Sequence, residues 1–436
     1  MTFLERNTRK VRRAKPLVAC FSALALLVIA ASCSGRASKP AAAWTPYVER
    51  IESPAGEASA EPQLTASADG AILSWLENAG SETRLMFAER SLSRRSGAAA
   101  QASGWSEPRV VASGDDFFEN WADLPSVARL RDGHGTLVAH WLRRSAPTAS
   151  GYDVELATSA DDGHTWSRPF SPHHDGTKTQ HGFASMFALP GSATPFGLVW
   201  LDGRATTPAA NPDDDAVGEM TLRSARYDAA WHQQADEAVD LRVCDCCPTA
   251  TAVTADGVVV AYRDRSAGEI RDISVTRLVG GRWTDPVPVH KDGWRIDGCP
   301  VNGPALSASG RDVALAWFSA PDDQGHAFVA FSRDSGATFG APIRVDEAGA
   351  LGRVSVELIP DGSAVVSWIE LAGGKAAFTV RRIAPGGERS PAVTVAEITG
   401  RRSSSYPRMV RGDHEIVFAW IGGDSSSVQT AIARLP

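Results

Sequence analysis

Ile72-Leu73-Ser74-Trp75 is a short apolar run closed by an aromatic residue, and the same pattern returns six times along the 436-residue chain. The later copies are Leu137-Val138-Ala139-His140-Trp141, Gly197-Leu198-Val199-Trp200, Val259-Val260-Ala261-Tyr262, Ala314-Leu315-Ala316-Trp317, Val365-Val366-Ser367-Trp368 and Val417-Phe418-Ala419-Trp420. Successive closing aromatics lie 66, 59, 62, 55, 51 and 52 residues apart. Self-similarity at such a period marks a repeat architecture, in which no unit buries its apolar face alone. Each copy has similar surroundings. A strand-like run precedes it, as in Pro125–Leu130 or Pro304–Ala308, and a turn such as Asp361-Gly362 separates the two. A third run follows, such as Ala327–Phe331, and a fourth often follows Trp-x-x-Pro, as at Trp105–Pro108 and Trp283–Pro286. Four short antiparallel strands per repeat describe a propeller blade. The fold expected is all-β, a propeller of seven four-stranded blades, with six blades as the alternative. The seventh copy stops near Ala433 after three strands. Tyr47–Glu52 is expected to supply the fourth, so that closure removes exposed sheet edges.

The ends frame this body. Arg6, Arg9, Lys10, Arg12, Arg13 and Lys15 precede the apolar run Leu17–Ala31, which is short for a membrane span. It ends in Ile29-Ala30-Ala31-Ser32-Cys33, which resembles a lipobox. Residues 1–33 are read as a lipoprotein signal peptide with Cys33 as the acylated residue, and an ordinary cleaved signal is the alternative. Residues 34–46 read as a flexible tether and 47–436 as the propeller. Export and lipid anchoring in the cell envelope follow. Ser34 resembles the residue found there in outer-membrane lipoproteins. The formal net charge is −7, and residues 1–32 are themselves basic, so the mature body is more acidic still. That argues against nucleic acid as a partner. No second long apolar run exists, so membrane contact is expected through the anchor only, and the body is expected to be a monomer.

Ser159-Ala160-Asp161-Asp162-Gly163-His164-Thr165-Trp166 and Ser332-Arg333-Asp334-Ser335-Gly336-Ala337-Thr338-Phe339 follow the pattern S-x-D-x-G-x-T-[W/F]. These Asp boxes resemble those of the sialidase/BNR-repeat superfamily, and the likeness covers essentially the whole mature chain. The resemblance implies a sialidase-like propeller with each box turning between third and fourth strands, away from the functional face. It also implies action on glycans, resembling exo-alpha-sialidase if the chain is an enzyme. The Arg-Ile-Pro motif of sialidases is absent; the nearest string is Glu49-Arg50-Ile51-Glu52.

Three functional readings remain open from the residues at blade entries and loops. An acidic sugar calls for bidentate, permanently charged guanidiniums. Arg204, Arg263, Arg271, Arg353 and Arg408 are candidates, with His181 and Asn302 beside them. By the resemblance, Tyr406 would be nucleophile, Glu269 its activator and Asp123 the acid/base. The same arginines would equally serve a non-catalytic propeller holding a glycan, a protein or another anionic small ligand. The third reading is the cysteine cluster Cys244, Cys246, Cys247 and Cys299. With His181 it would hold copper or zinc; in an oxidising envelope Cys299 would instead bridge to one of the other three. Strand alternation is expected to aim Cys247 away from Cys244 and Cys246. His173 and His174 read as solvated loop residues, His140 as satisfied structure, and Asp213-Asp214-Asp215 as a charged loop with weak likeness to a calcium site.

Overall fold

The computed structural model describes residues 44–67, 70–91, 104–130, 134–147, 151–189, 191–207, 217–399, 406–412, 414–422 and 427–435. The signal segment with Cys33, most of the tether and Asp213-Asp214-Asp215 lie outside the described residues. Among the described residues all regular structure is β-strand, in seven small antiparallel sheets and one short hairpin.

Blade 1 comprises Ser59–Ala66, Gly70–Ala79, Glu82–Ser91 and Arg109–Gly114. Blade 2 comprises Ser126–Arg129, Leu137–Arg144 and Tyr152–Ser159, with Phe170 bridging to Leu156 where a fourth strand would run. Blade 3 comprises His181–Ala188, Phe196–Asp202, Thr221–Tyr227 and Gln233–Asp240. Blade 4 comprises Ala250–Thr254, Gly257–Arg263 and Ile273–Val279, edged by Arg282–Trp283 and Val287–Pro288. Blade 5 comprises Ala305–Ser309, Asp312–Ser319, His326–Ser332 and Ile343–Arg344. Blade 6 comprises Ala350–Leu358, Ala364–Ala372, Lys375–Ile383 and Val393–Ile398. Blade 7 comprises Arg408–Arg411, Glu415–Ile421 and Val428–Arg434, and the N-terminal Val48–Ile51 completes it. The closing register runs from Val48 opposite Ala433 to Ile51 opposite Thr430. The structure therefore has the seven blades and the closure expected from the repeat.

The periodic aromatics hold the ring together. Trp75, Trp200, Tyr262, Trp317 and Trp368 are 0% exposed, and Trp141 and Trp420 nearly so. Each belongs to a separate apolar cluster that joins neighbouring blades. Trp420 packs with Ile369 and Phe378 of blade 6, and Trp75 packs with Val410 and Val417 of blade 7. Burying one such side chain contributes up to about 3 kcal/mol. A buried indole also needs an acceptor. Three tryptophans find one two residues on: Trp75 on Glu77 at 3.1 Å, Trp200 on Asp202 at 2.8 Å, and Trp368 on Glu370.

The two Asp boxes are superposable in their chemistry. In blade 2 the backbone N–H of Thr165 donates to Asp161 Oδ1 at 2.9 Å and its hydroxyl to Oδ2 at 2.6 Å. In blade 5 Thr338 makes the same pair to Asp334 at the same distances. Ser159 and Ser332 hydroxyls accept from Gly163 and Gly336 backbones. Both turns join third to fourth strand positions, as the resemblance implies.

A central cavity of about 270 Å³ is lined by inner strands of all seven blades, including Thr65, Ser126, Ser185, Thr251, Leu306, Val356 and Met409.

Candidate functional site

The face where the inner strands begin carries nearly every chemically rich segment. In blades 1, 3 and 6 the inner strand has one extra residue opposite the blade tryptophan: Glu61-Pro62, Phe183-Ala184 and Arg353-Val354. The first of each pair adopts a left-handed backbone, with φ of 53°, 53° and 52°. A bulge of this kind re-aims a side chain, and non-glycine residues hold such a φ only when their surroundings impose it. Leu124, Gly303 and Tyr406 hold the corresponding place in blades 2, 5 and 7, each before a proline. The equivalence was not read from sequence, although the recurrent proline signals it.

Arg353, Arg408 and Tyr406 come together. The Arg353 guanidinium carbon lies 5.7 Å from the Tyr406 ring centre and that of Arg408 lies 5.1 Å from it. Arg353 also covers Trp121 at 4.9 Å, and Trp121 stacks on Tyr406 with ring centres 6.2 Å apart. Asn302 sets this corner: its Oδ1 accepts from the Arg353 backbone at 2.9 Å. A Cβ at Gly352, whose φ is +87°, would lie 2.2 Å from that same oxygen. Asn302 is thus a positioning residue.

Tyr406, Glu269 and Asp123 do not assemble as the proposed nucleophile, activator and acid/base. No hydrogen bond or ion pair joins any two of them. The Tyr406 side chain is 2% exposed and its hydroxyl donates to the Val301 carbonyl. Burial pushes that phenol well above its ordinary range. Glu269 accepts from Arg265 at 3.0 Å, Arg271 at 3.0 Å and Arg242 at 3.2 Å. Arg265 foremost, and Arg271 with it, hold its carboxyl low against the effect of burial. Asp123 is buried against the Phe183 backbone N–H at 2.6 Å, and burial raises it to about 7.

The remaining arginines also have their own work. Arg263 is buried and donates to the carbonyls of Asn302 (2.9 Å), Phe318 (2.7 Å) and Arg271, with Trp294 beneath it at 4.8 Å. It is a strut between blades 4 and 5, not the ligand contact expected. Arg271 joins Glu269 to Cys244 Sγ, 3.2 Å from its Nη1. Arg204 grips Asp202 by Nε and Nη2, both at 2.7 Å.

Cys246 and Cys299 form a disulfide that ties the entries of blades 4 and 5. Cys244 and Cys247 are buried thiols with sulfurs 3.3 Å apart, and Cys244 Sγ lies 3.8 Å from Cys246 Sγ. Strand alternation fails here because the chain turns at Asp245-Cys246. Burial opposes ionisation of Cys244, but the Cys247 thiol and Arg271 outweigh it and bring Cys244 down to about 7.

His181 does not join the cysteines. It lies among Asp153, Asp175 and His173, and its ring stacks on His173 at 3.8 Å. His173 is therefore buried, not solvated as expected. His140 is buried too, and its Nδ1 has no hydrogen-bond partner, so it is not the satisfied residue anticipated. Burial lowers its pKa to about 4.

Residues 92–416 match the family model described as a BNR repeat-like domain. The chain belongs to that family. No curated protein sequence matches this chain. Among solved structures, the polysaccharide lyase Uly1 is similar at TM-score 0.50 and 9% identity, over 87% of this chain and 91% of the other. The NanB sialidase from Streptococcus pneumoniae is similar at TM-score 0.43 and 10% identity, over 88% and 94%. The GH93 alpha-L-arabinofuranosidase of Fusarium graminearum is similar at TM-score 0.44 and 12% identity, over 90% and 98%. For this BNR repeat-like chain the likeness to Uly1 is one of fold, and its site must be argued from its own residues.

Proposed function

We propose that this BNR repeat-like protein holds acidic glycans at its blade-entry face and does not hydrolyse them through Tyr406. The observation that carries this reading is the arrangement of Trp121, Tyr406, Arg353 and Arg408. Half-buried Trp121 stacks on the sealed Tyr406 ring, and two guanidiniums lie against this pair. Aromatic faces accept sugar rings, and guanidinium charge favours a carboxylate at the same place. Meanwhile Tyr406 is 2% exposed and its hydroxyl donates to a backbone carbonyl, which withholds it from service as a nucleophile. The test is an array of uronides, sialosides and neutral sugars, with free sugar measured in the same wells. Retention of acidic glycans, no free sugar, and at least a tenfold loss in Trp121→Ala are expected, a loss of the size that one central aromatic contact supplies. Release of sugar by the wild type that Tyr406→Phe abolishes would restore the hydrolase reading.

The same proposal places the propeller at the cell envelope, tethered through Cys33. Mass analysis of the mature N-terminus checks this: a diacylglycerol-modified Cys33 is expected, and an unmodified N-terminus at another residue contradicts it.

The Cys244–Cys247 pair favours a second reading, a copper or zinc ion held by thiolates. Cys244, brought down by the Cys247 thiol and Arg271, offers the ionised form that a metal requires, and an ion would have to draw the proton from Cys247, which burial and Cys244 push up. Elemental analysis of wild type against Cys244→Ser decides it. Metal lost with the thiol supports the site, and a metal-free wild type rejects it.

A further inference from the structure

A second cluster on the blade-entry face contains no cysteine. Asp153 lies near the start of a blade 2 strand, His173 and Asp175 sit in the connection to blade 3, and His181 opens blade 3. The two imidazoles stack 3.8 Å apart at 9°, and the His173 and His181 side chains are 6% and 0% exposed. His181 Nδ1 is 3.2 Å from Asp153 Oδ1, and His181 Nε2 is 3.2 Å from Asp175 Oδ2. His173 Nε2 is 4.0 Å from the same Asp153 oxygen. Both His181 nitrogens, His173 Nε2, Asp153 Oδ1 and Asp175 Oδ2 are buried without a hydrogen-bond partner.

Leaving one buried polar atom unmatched costs about 1–3 kcal/mol. Three of these atoms, Asp153 Oδ1, His173 Nε2 and His181 Nδ1, lie together at one end of the cluster. One cation placed between them would satisfy all three at once. The two ends of the cluster differ. At the Asp175 end a cation is already present: Arg204 Nη2 lies 3.5 Å from Asp175 Oδ2 and 2.7 Å from Asp202 Oδ2. At the other end, no Arg or Lys among the described residues pairs with Asp153; its ion-pair contacts are the two histidines.

We propose that Asp153 Oδ1, His173 Nε2 and His181 Nδ1 bind one divalent transition-metal ion of the zinc class, with solvent completing its coordination. The three atoms lie within 4.8 Å of one another. A tetrahedral ion with bonds near 2.0–2.1 Å separates its ligands by about 3.4 Å, and the 3.2 and 4.0 Å distances bracket that value. A small tilt of His173 out of the stack brings both ring lone pairs to the ion. Two imidazoles and one carboxylate suit zinc or a similar first-row ion; calcium prefers oxygen alone and copper(I) prefers sulfur. Asp175, 3.2 Å from the other nitrogen of His181, is the carboxylate that would accept its N–H once the ring turns onto the ion. Its own Oδ1 is anchored by the Thr177 backbone at 2.9 Å. The inference does not rest on the glycan reading.

The test uses the full mature chain carrying Cys244→Ser and Cys247→Ser, so that thiolates cannot supply the signal. It is loaded with zinc chloride, dialysed against metal-free buffer, and its zinc content and melting temperature are measured. About one zinc per chain and a higher melting temperature with zinc are expected. In His173→Ala and Asp153→Asn, on the same background, zinc should fall below roughly one tenth per chain and the shift should vanish, as loss of a direct ligand requires. If His173→Ala does not fold, Asp153→Asn decides, because it is isosteric and its side chain is 23% exposed. A folded parent without zinc, or a folded variant that keeps it, overturns the proposal.

Discussion

Replacing Cys299 by serine opens the bridge to Cys246 across a sequence separation of 53 residues, a loop that contains the whole of blade 4. Closing a loop of that length removes unfolded-chain entropy equivalent to about 4 kcal/mol at 25 °C, if the bridge acts only through the unfolded state. Part of this can be recovered by chemistry that the site itself offers. The freed Cys246 sulfur lies 3.8 Å from Cys244 and can oxidise with it, but that loop spans only three residues and constrains far less. Cys299→Ser is therefore expected to lose up to about 4 kcal/mol in denaturant titrations under oxidising conditions. Cys244→Ser/Cys299→Ser should be no more stable than the single variant. Wild type in reductant should fall to the same level. Peptide mapping without reduction supplies the control for pairing. The reasoning fails if the map shows the Cys246–Cys299 bridge in wild type and Cys299→Ser nevertheless unfolds within about 0.5 kcal/mol of it.

Other outcomes follow from the same structure. Trp368→Ala empties the contact between blades 5 and 6 and should cost about 3–5 kcal/mol, because Trp368 is wholly buried; a loss below 1 kcal/mol in equilibrium unfolding contradicts the packing account. Asp123, raised to about 7 by burial, makes the fold less stable as pH rises from about 4 toward 7, since the unfolded carboxyl ionises first. Asp123→Asn removes that slope and should be the more stable protein at pH 8, by at most about 4 kcal/mol; parallel stability–pH curves would count against it. Asp161 and Asp334 are held down to about 2, Asp161 by Thr165 and Asp334 by Thr338 against the effect of burial. Their stabilising share is present above about pH 4 and is lost as pH falls through 2. Asp161→Asn with Asp334→Asn should flatten the acid limb of the melting curve, and an unchanged limb would refute this origin.

The ring was legible in the sequence because its determinants are local and repeated. A buried aromatic sits within each second strand, and two Asp boxes write their turn geometry residue by residue. The closing strand Val48–Ile51 was legible because a three-stranded last repeat leaves an edge. The site was less so, because its contacts join loops distant in sequence. Arg353, Arg408 and Tyr406 were named and do meet, but that Tyr406 is sealed beneath Val301 depends on a backbone carbonyl over a hundred residues away. Cys299 was legible as a bridging partner, while the orientation of Cys247 was not, since the turn at Asp245-Cys246 breaks the alternation assumed. His173 lies in a connection without periodicity, so nothing in the residues around it announced its stack on His181. The tryptophan–carboxylate pairs two residues apart, as in Trp75-Leu76-Glu77, were a readable signal that pattern matching on apolar residues passed over.

The central functional claim is retention of acidic glycans without cleavage. It is tested most directly by incubating the wild-type protein with a uronide or sialoside oligosaccharide and measuring bound glycan and released sugar in one experiment. The account predicts saturable binding that is lost in Trp121→Ala, with no free sugar over the no-protein control. Turnover that depends on Tyr406, or the absence of any binding to acidic glycans, would contradict it.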